Sequence, residues 1–275
     1  MALRPLGTTG FAVSPIGFGA FKIGRNQNVK YPQGYDLPNK ATAHRLLNEL
    51  LDNGVCYVDT APAYGMSEER IGQAISHRKS EFVLSTKVGE TFEDNRSFFD
   101  FSSAAIRNSI LRSQDRLKLD VLDLVFIHSN GDDLHVLNQT EVVSALQDLK
   151  AKGTIQAIGF SGKTVQGTRE SLSWADVVMV EYHINDDSHD DVIAEAAAKG
   201  VGVVVKKGLA SGQLPASKAI RFVLSNKHVN TQIIGGLNSN HIRANLAVAN
   251  SMLLSLDYSN SHCTTRNATS PFSHL

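Results

Sequence analysis

The sequence is poor in the features that mark a specialised chain. It has two cysteines in 275 residues, Cys56 and Cys263, too few for a disulfide framework. No Cys-x-x-Cys pair or Cys/His cluster offers a zinc site, and Cys56 sits in an apolar run as a core residue would. Net charge is also missing, since 27 Lys and Arg balance 27 Asp and Glu. A balanced chain has no global field for nucleic acid or an anionic membrane. No apolar run approaches the ~20 residues that span a bilayer. The opening Met1-Ala2-Leu3-Arg4-Pro5-Leu6-Gly7 lacks the apolar stretch of a secretion signal. The expectation is a cytoplasmic protein with no nucleic-acid and no membrane partner. Oligomeric state is left open.

One further absence bears on fold. The early glycines of Gly17-Phe18-Gly19-Ala20-Phe21-Lys22-Ile23-Gly24 have the wrong spacing for G-x-G-x-x-G, and no helical pattern follows them. An open, doubly wound dinucleotide-binding sheet is therefore the weaker reading.

What the sequence does have is alternation. Short β-branched runs at 14–17, 56–59, 82–86, 122–127, 155–160, 177–181, 201–206 and 231–234 read as eight strands. Helical patterns lie between them. Residues 41–53 put Leu46, Leu47, Leu50 and Leu51 on one stripe and stop at Gly54. Residues 141–152 follow Thr140, an N-cap candidate, and end at Gly153. Residues 190–199 open on Asp190 and Asp191 and close on Lys199, the order that suits a helix dipole. Residues 103–117, 216–226 and 239–250 read as helices too, with shorter ones after Ser67 and Thr164. Strand–helix repeats predict parallel β with crossover helices. Eight units in one chain of this length predict a (β/α)8 TIM barrel over residues 1–256. A short N-terminal hairpin turn precedes it, at Leu6-Gly7-Thr8-Thr9-Gly10-Phe11. Residues 257–275, rich in Ser, Thr and Asn, read as a loose polar tail.

Barrel enzymes carry their chemistry at the C-terminal ends of the strands. Four useful groups fall there: Asp59, Tyr64 in the loop that follows, Lys87, and His128. They suit each other. A tyrosine is a sluggish acid at neutral pH, and an ammonium beside it favours phenolate. A buried lysine needs a counter-charge such as Asp59, and a histidine can orient an incoming oxygen.

The run from Gly54 to Gly72, with Asp59-Thr60-Ala61-Pro62-Ala63-Tyr64-Gly65 at its centre, resembles the signature of the aldo-keto reductase superfamily. Thr86-Lys87-Val88-Gly89 and Asp123-Leu124-Val125-Phe126-Ile127-His128 resemble its next two motifs, in order. The resemblance spans about residues 3–250. It implies a catalytic tetrad with Tyr64 as general acid, Lys87 as modulator of its pKa, Asp59 as partner of Lys87 and His128 as orienting group. It further implies hydride transfer between a nicotinamide cofactor and a small aldehyde, ketone or sugar carbonyl, or the corresponding alcohol.

The expected cofactor contacts depart from the family pattern in places. Ser161 is kept, but Gly162 and Met179 replace the usual amides. Lys206 stands where a stacking tyrosine is common, followed by Lys207, Leu209 and Ser211. At least one of the two lysines is expected to hold pyrophosphate or an anionic substrate. Asn238, His241 and Asn245 resemble the adenosine end, where the usual basic residues are not obvious. NADP(H) remains favoured over NAD(H) on the resemblance. Phe21 and Lys22 are expected in the substrate pocket. The acidic cluster of Glu181, His183, Asp186, Asp187, His189, Asp190 and Asp191 matches no common metal spacing, so no metal is expected. Two other functions compete: a cofactor-binding sensor or partner-binding barrel with little turnover, and a lyase using Lys206 or Lys207 as a Schiff base.

Overall fold

Arg4–Pro5 (β1) and Ala12–Val13 (β2) pair antiparallel, as the turn-rich start predicts. Leu6, carried on this hairpin, is fully buried and packs into the barrel interior beside Val13. Next come β3 (Ile16–Gly19), α1 (Lys40–Asp52), β4 (Tyr57–Asp59), α2 (Ser67–Ile75) and β5 (Val83–Val88). A second hairpin, β6 (Glu90–Glu93) and β7 (Arg96–Phe99), precedes α3 (Ser103–Leu117) and β8 (Leu122–His128). The rest of the chain runs α4 (Asp133–Gln139), α5 (Val142–Ala151), β9 (Ile155–Ser161), α6 (Val165–Ser171), β10 (Val177–Glu181) and α7 (Asp190–Ala198). It finishes with β11 (Gly202–Lys206), α8 (Ala216–Ser225), β12 (Thr231–Ile234) and α9 (Ser239–Cys263). The computed structural model describes residues 2–29 and 34–263, with side chains through Met252.

Strands β3, β4, β5, β8, β9, β10, β11 and β12 close into a barrel of parallel neighbours. Side chains alternate across a strand, so every second residue points inward. Tyr57, Leu124, Phe126, Ala157, Val177, Met179 and Val204 fill the interior. The opposite faces pack under the helices: Val58, Leu84, Val125 and Ile158 in one cluster, Val178, Val180, Val203 and Val205 in another. Burial on both faces is why these strands read as continuous apolar runs.

Helix starts follow their caps. Asn39 accepts from the Thr42 amide, Ser102 from Ala105 and Thr164 from Gly167. Thr140 serves two helices: its hydroxyl accepts from the Val142 amide at 3.4 Å at the start of α5, as expected, and donates to the Val136 carbonyl at the end of α4. The last helix is longer than expected. Helix α9 does not end near residue 250 but continues through Cys263, because no Gly or Pro interrupts 239–263. Residues 264–275 of the expected tail lie outside the described residues.

Candidate active site

Strand parity brings the four expected groups together. Asp59 is two residues beyond inward Tyr57, Lys87 two beyond Ser85, and His128 two beyond inward Phe126. All three therefore point into the mouth of the barrel. Lys87 Nζ donates to both oxygens of Asp59, at 2.8 and 2.7 Å, and to the Thr60 carbonyl at 2.8 Å. Both side chains are 1 % exposed. Ser85 donates to Asp59 at 2.7 Å and accepts from the Tyr57 hydroxyl at 2.8 Å, which anchors the pair from below. Burial opposes the charge on Lys87, but Asp59 and then Tyr64 outweigh it, so its pKa is raised. Lys87 stays an ammonium.

Tyr64 ends a short 3-10 turn, Pro62–Tyr64. Thr60 donates to Ser67 and Ser67 to the Ala20 carbonyl, both at 2.9 Å, which ties the loop to the turn after β3. Gly65 follows at φ 60, with Gly24 O only 2.4 Å from where a Cβ would stand. Only glycine permits that approach. The Lys87 ammonium lies 4.8 Å from the Tyr64 ring centre, and the Phe21 ring meets Tyr64 edge-on at 5.0 Å. Burial pushes the Tyr64 pKa up to about 12, with Lys87 pulling in the other direction. Lys87 thus acts on Tyr64 with the expected sign, but desolvation is the larger effect. The phenol is protonated throughout the physiological range.

His128 lies edge-on to Tyr64, with ring centres 6.2 Å apart. Its Nδ1 is 2.7 Å from Oε2 of Glu90, the first residue of β6. Burial lowers the His128 pKa, Glu90 opposes that shift, and the Lys87 and Lys206 ammoniums reinforce it. The imidazole is therefore neutral at pH 7. The sequence reading missed Glu90 and the hairpin that carries it. The available signal was the Asp94-Asn95 dipeptide, residue types that tolerate the positive φ of a two-residue hairpin loop; here they adopt 47 and 61. Arg25 was missed too. It donates to the Ala63 carbonyl at 3.0 Å while its guanidinium lies 3.3 Å from the Phe92 ring centre, so it clamps the hairpin against the Tyr64 turn.

The expected cofactor residues divide into two groups. Leu209, Asn238, His241 and Asn245 line one cavity of about 620 Å³ together with Gly235, Gly236 and Lys22. That volume and its amide lining fit the adenosine half of a dinucleotide. Lys22 borders this cavity, whereas Phe21 packs on Tyr64. Ser211 lies in a tight turn at φ 57, outside the cavity lining. Lys206 Nζ donates to Ser161 Oγ at 2.9 Å and to the Gly162 carbonyl at 2.7 Å, spanning the top of β10. Burial, then Lys207 and Lys87, lower its pKa to about 7. Lys207 turns away and is bonded to Glu181. Met179 is buried in the barrel interior, one inward layer beneath Glu181. Within the acidic cluster, Asp190 accepts from Tyr182 and Asn226, and Asp186 from Ser188.

Known proteins identify the family. The sequence profile of the Aldo/keto reductase family matches residues 15–219, and the chain belongs to that family of oxidoreductases. L-galactose dehydrogenase of Arabidopsis thaliana is 30 % identical over 89 % of this chain and 87 % of its own. The NADH-specific methylglyoxal reductase of Escherichia coli is 28 % identical over 76 % of this chain and 68 % of its own. Among solved structures, an aldo-keto reductase from Pseudomonas aeruginosa superposes with a TM-score of 0.84 at 41 % identity, covering 91 % of this chain and 95 % of that one. The holo form of a Bacillus halodurans aldo-keto reductase reaches 0.77 at 26 % identity over 90 % of each chain. Among the described residues, no helix is long and apolar enough to cross a membrane.

Proposed function

We propose that the protein transfers hydride between a nicotinamide cofactor and a small aldehyde, ketone or sugar carbonyl, with Tyr64 as the proton donor to the carbonyl oxygen. The observation that carries this reading is the fully buried Lys87–Asp59 pair set against the Tyr64 ring. A charge pair is costly to bury. Here it places a fixed ammonium where negative charge would develop on the phenol oxygen. Tyr64, protonated and half-buried, offers an O–H to an incoming carbonyl oxygen.

The cavity lined by Asn238, His241 and Asn245 would hold the adenosine end of the cofactor, with Leu209 and Lys22 on its walls. Bound, the nicotinamide supplies or accepts the hydride. Lys206 and Ser161, joined across β10, would border its carboxamide end. NADP(H) is the first cofactor to test, because Lys22 adds an ammonium to the cavity wall and the family commonly uses it. The E. coli relative, NADH-specific by name, motivates NAD(H) as the second arm.

The test is fluorescence titration with NADPH and NADH, followed by turnover on a panel of small aldehydes, ketones, sugars and their alcohols. Saturable binding with turnover on at least one carbonyl or alcohol is expected. Absence of binding to both cofactors would overturn the proposal. Binding without turnover would favour the sensor reading, which rests on Gly162, Met179 and Lys206 in place of the usual nicotinamide contacts.

A further inference from the structure

Glu90 is an ionised carboxylate in direct contact with the neutral imidazole of the site. Its Oε1 accepts from Ser97 Oγ at 2.6 Å, across the β6–β7 hairpin. Burial would raise its pKa, but His128, Ser97 and Arg25 together bring it to about 2. The hairpin itself is held by Arg25 against Phe92. Glu90 is therefore placed by a built support, independent of any ligand.

The contact decides where the imidazole proton sits. Glu90 Oε2 and His128 Nδ1 are 2.7 Å apart. No well-aligned hydrogen bond joins the two, but at this separation a carboxylate oxygen repels a bare nitrogen and attracts one that carries a proton. Because the carboxylate is ionised, the ring proton belongs to Nδ1. A neutral imidazole has only one, so Nε2 is bare. Nδ1 is the buried nitrogen and the side chain is 20 % exposed, which leaves the Nε2 edge toward the mouth. The other charged or titratable groups around the ring are Lys87 from β5, Tyr64 from the 3-10 turn and Lys206 from β11.

We propose that Glu90 is a positioning residue that holds the His128 proton on Nδ1 and so presents Nε2 as a hydrogen-bond acceptor for a substrate hydroxyl. The substrate class that fits the resting site is then an alcohol or a cyclic sugar hydroxyl, which can donate to Nε2 and accept from Tyr64. A carbonyl oxygen has no proton to give and meets the bare Nε2 with lone-pair repulsion. It is received by the same histidine only after Nε2 is protonated. Without the carboxylate, the neutral ring is free to carry its proton on Nε2 instead. The substrate preference rests on the reading of the site given above; the tautomer does not.

The test is a long-range ¹⁵N–¹H imidazole spectrum of the whole protein at about pH 8, where an unperturbed histidine is neutral. The His128 signal is assigned by its loss in His128→Gln. The expected wild-type result is a neutral ring with Nδ1 protonated and Nε2 bare. In Glu90→Gln, whose amide can donate to Nδ1, the proton is expected to move to Nε2. A wild-type ring protonated on Nε2 would overturn the proposal by itself, as would an unchanged tautomer in Glu90→Gln. Under turnover, Glu90→Gln is expected to raise KM for a hydroxyl substrate about three- to tenfold, the loss of one hydrogen bond. An unchanged KM would refute the substrate assignment. The spectrum needs neither cofactor nor turnover, so failure of the hydride-transfer reading would leave the tautomer result standing.

Discussion

The buried Lys87–Asp59 pair should behave as one unit in stability. Replacing Lys87 with Met leaves the Asp59 carboxylate 1 % exposed with Ser85 as its remaining side-chain donor. Replacing Asp59 with Leu leaves the ammonium without a counter-charge, with the Thr60 carbonyl and the Tyr64 phenol beside it. Breaking a buried pair from one side costs about 3–5 kcal/mol, roughly two to three and a half orders of magnitude in the folded-to-unfolded ratio. The double replacement removes both charges and leaves Ser85 without its carboxylate acceptor. It should therefore cost at least about 2 kcal/mol less than the sum of the single changes. Urea unfolding followed by fluorescence of Trp174, the single tryptophan, measures all three. Because the Lys87 pKa is raised, the stabilisation is fully present below its unfolded value near ~10.5 and is lost as pH rises through the higher folded one. Additivity within about 0.5 kcal/mol would refute the idea that the two side chains form a coupled pair.

Lys206, with its pKa lowered to about 7, binds fewer protons when folded than when unfolded between that value and ~10.5. Wild-type stability relative to Lys206→Met should therefore fall as pH drops across this window; thermal midpoints at about pH 10 and about pH 6 check the direction. At the cavity, Asn238→Arg should strengthen NADPH binding relative to NADH by about tenfold through a charge-assisted contact to the extra phosphate, read by fluorescence titration. Helix α2 approaches α3 through Gly72, where an added Cβ would stand 2.1 Å from the Arg116 carbonyl. Gly72→Ala should cost about 1–3 kcal/mol in urea unfolding by forcing the helices apart.

Much of the fold is legible because barrel strands buried on both faces announce themselves as apolar runs. The expected run at 122–127 and the observed Leu122–His128 differ by one residue, and 177–181 matches fully. The four chemical groups are legible for a related reason: each stands at the end of such a run or in the loop after it, and inward parity follows from counting by two. The partners of those groups are harder to see. Glu90 follows Gly89 in a four-residue strand of a solvent-facing hairpin, and nothing in its local pattern points to a histidine on another strand. Helix α4 has seven residues, too few to show a period. Lys206 is conspicuous in the sequence, but its bonds to Ser161 and Gly162 arise from closure of the barrel across an intervening strand. Conversely, Lys207, adjacent in sequence and chemically alike, is drawn to Glu181 on the next strand. Sequence adjacency alone could not separate the two lysines.

The central claim is that Tyr64 delivers the proton while the barrel mouth holds the cofactor. Single-turnover hydride transfer, comparing wild type with Tyr64→Phe, addresses it most directly. With reduced cofactor prebound and a reactive aldehyde in excess, the account predicts that Tyr64→Phe binds the cofactor as wild type does. It also predicts that the variant transfers hydride about 10²- to 10⁴-fold more slowly. Equal transfer rates in the two proteins would contradict it.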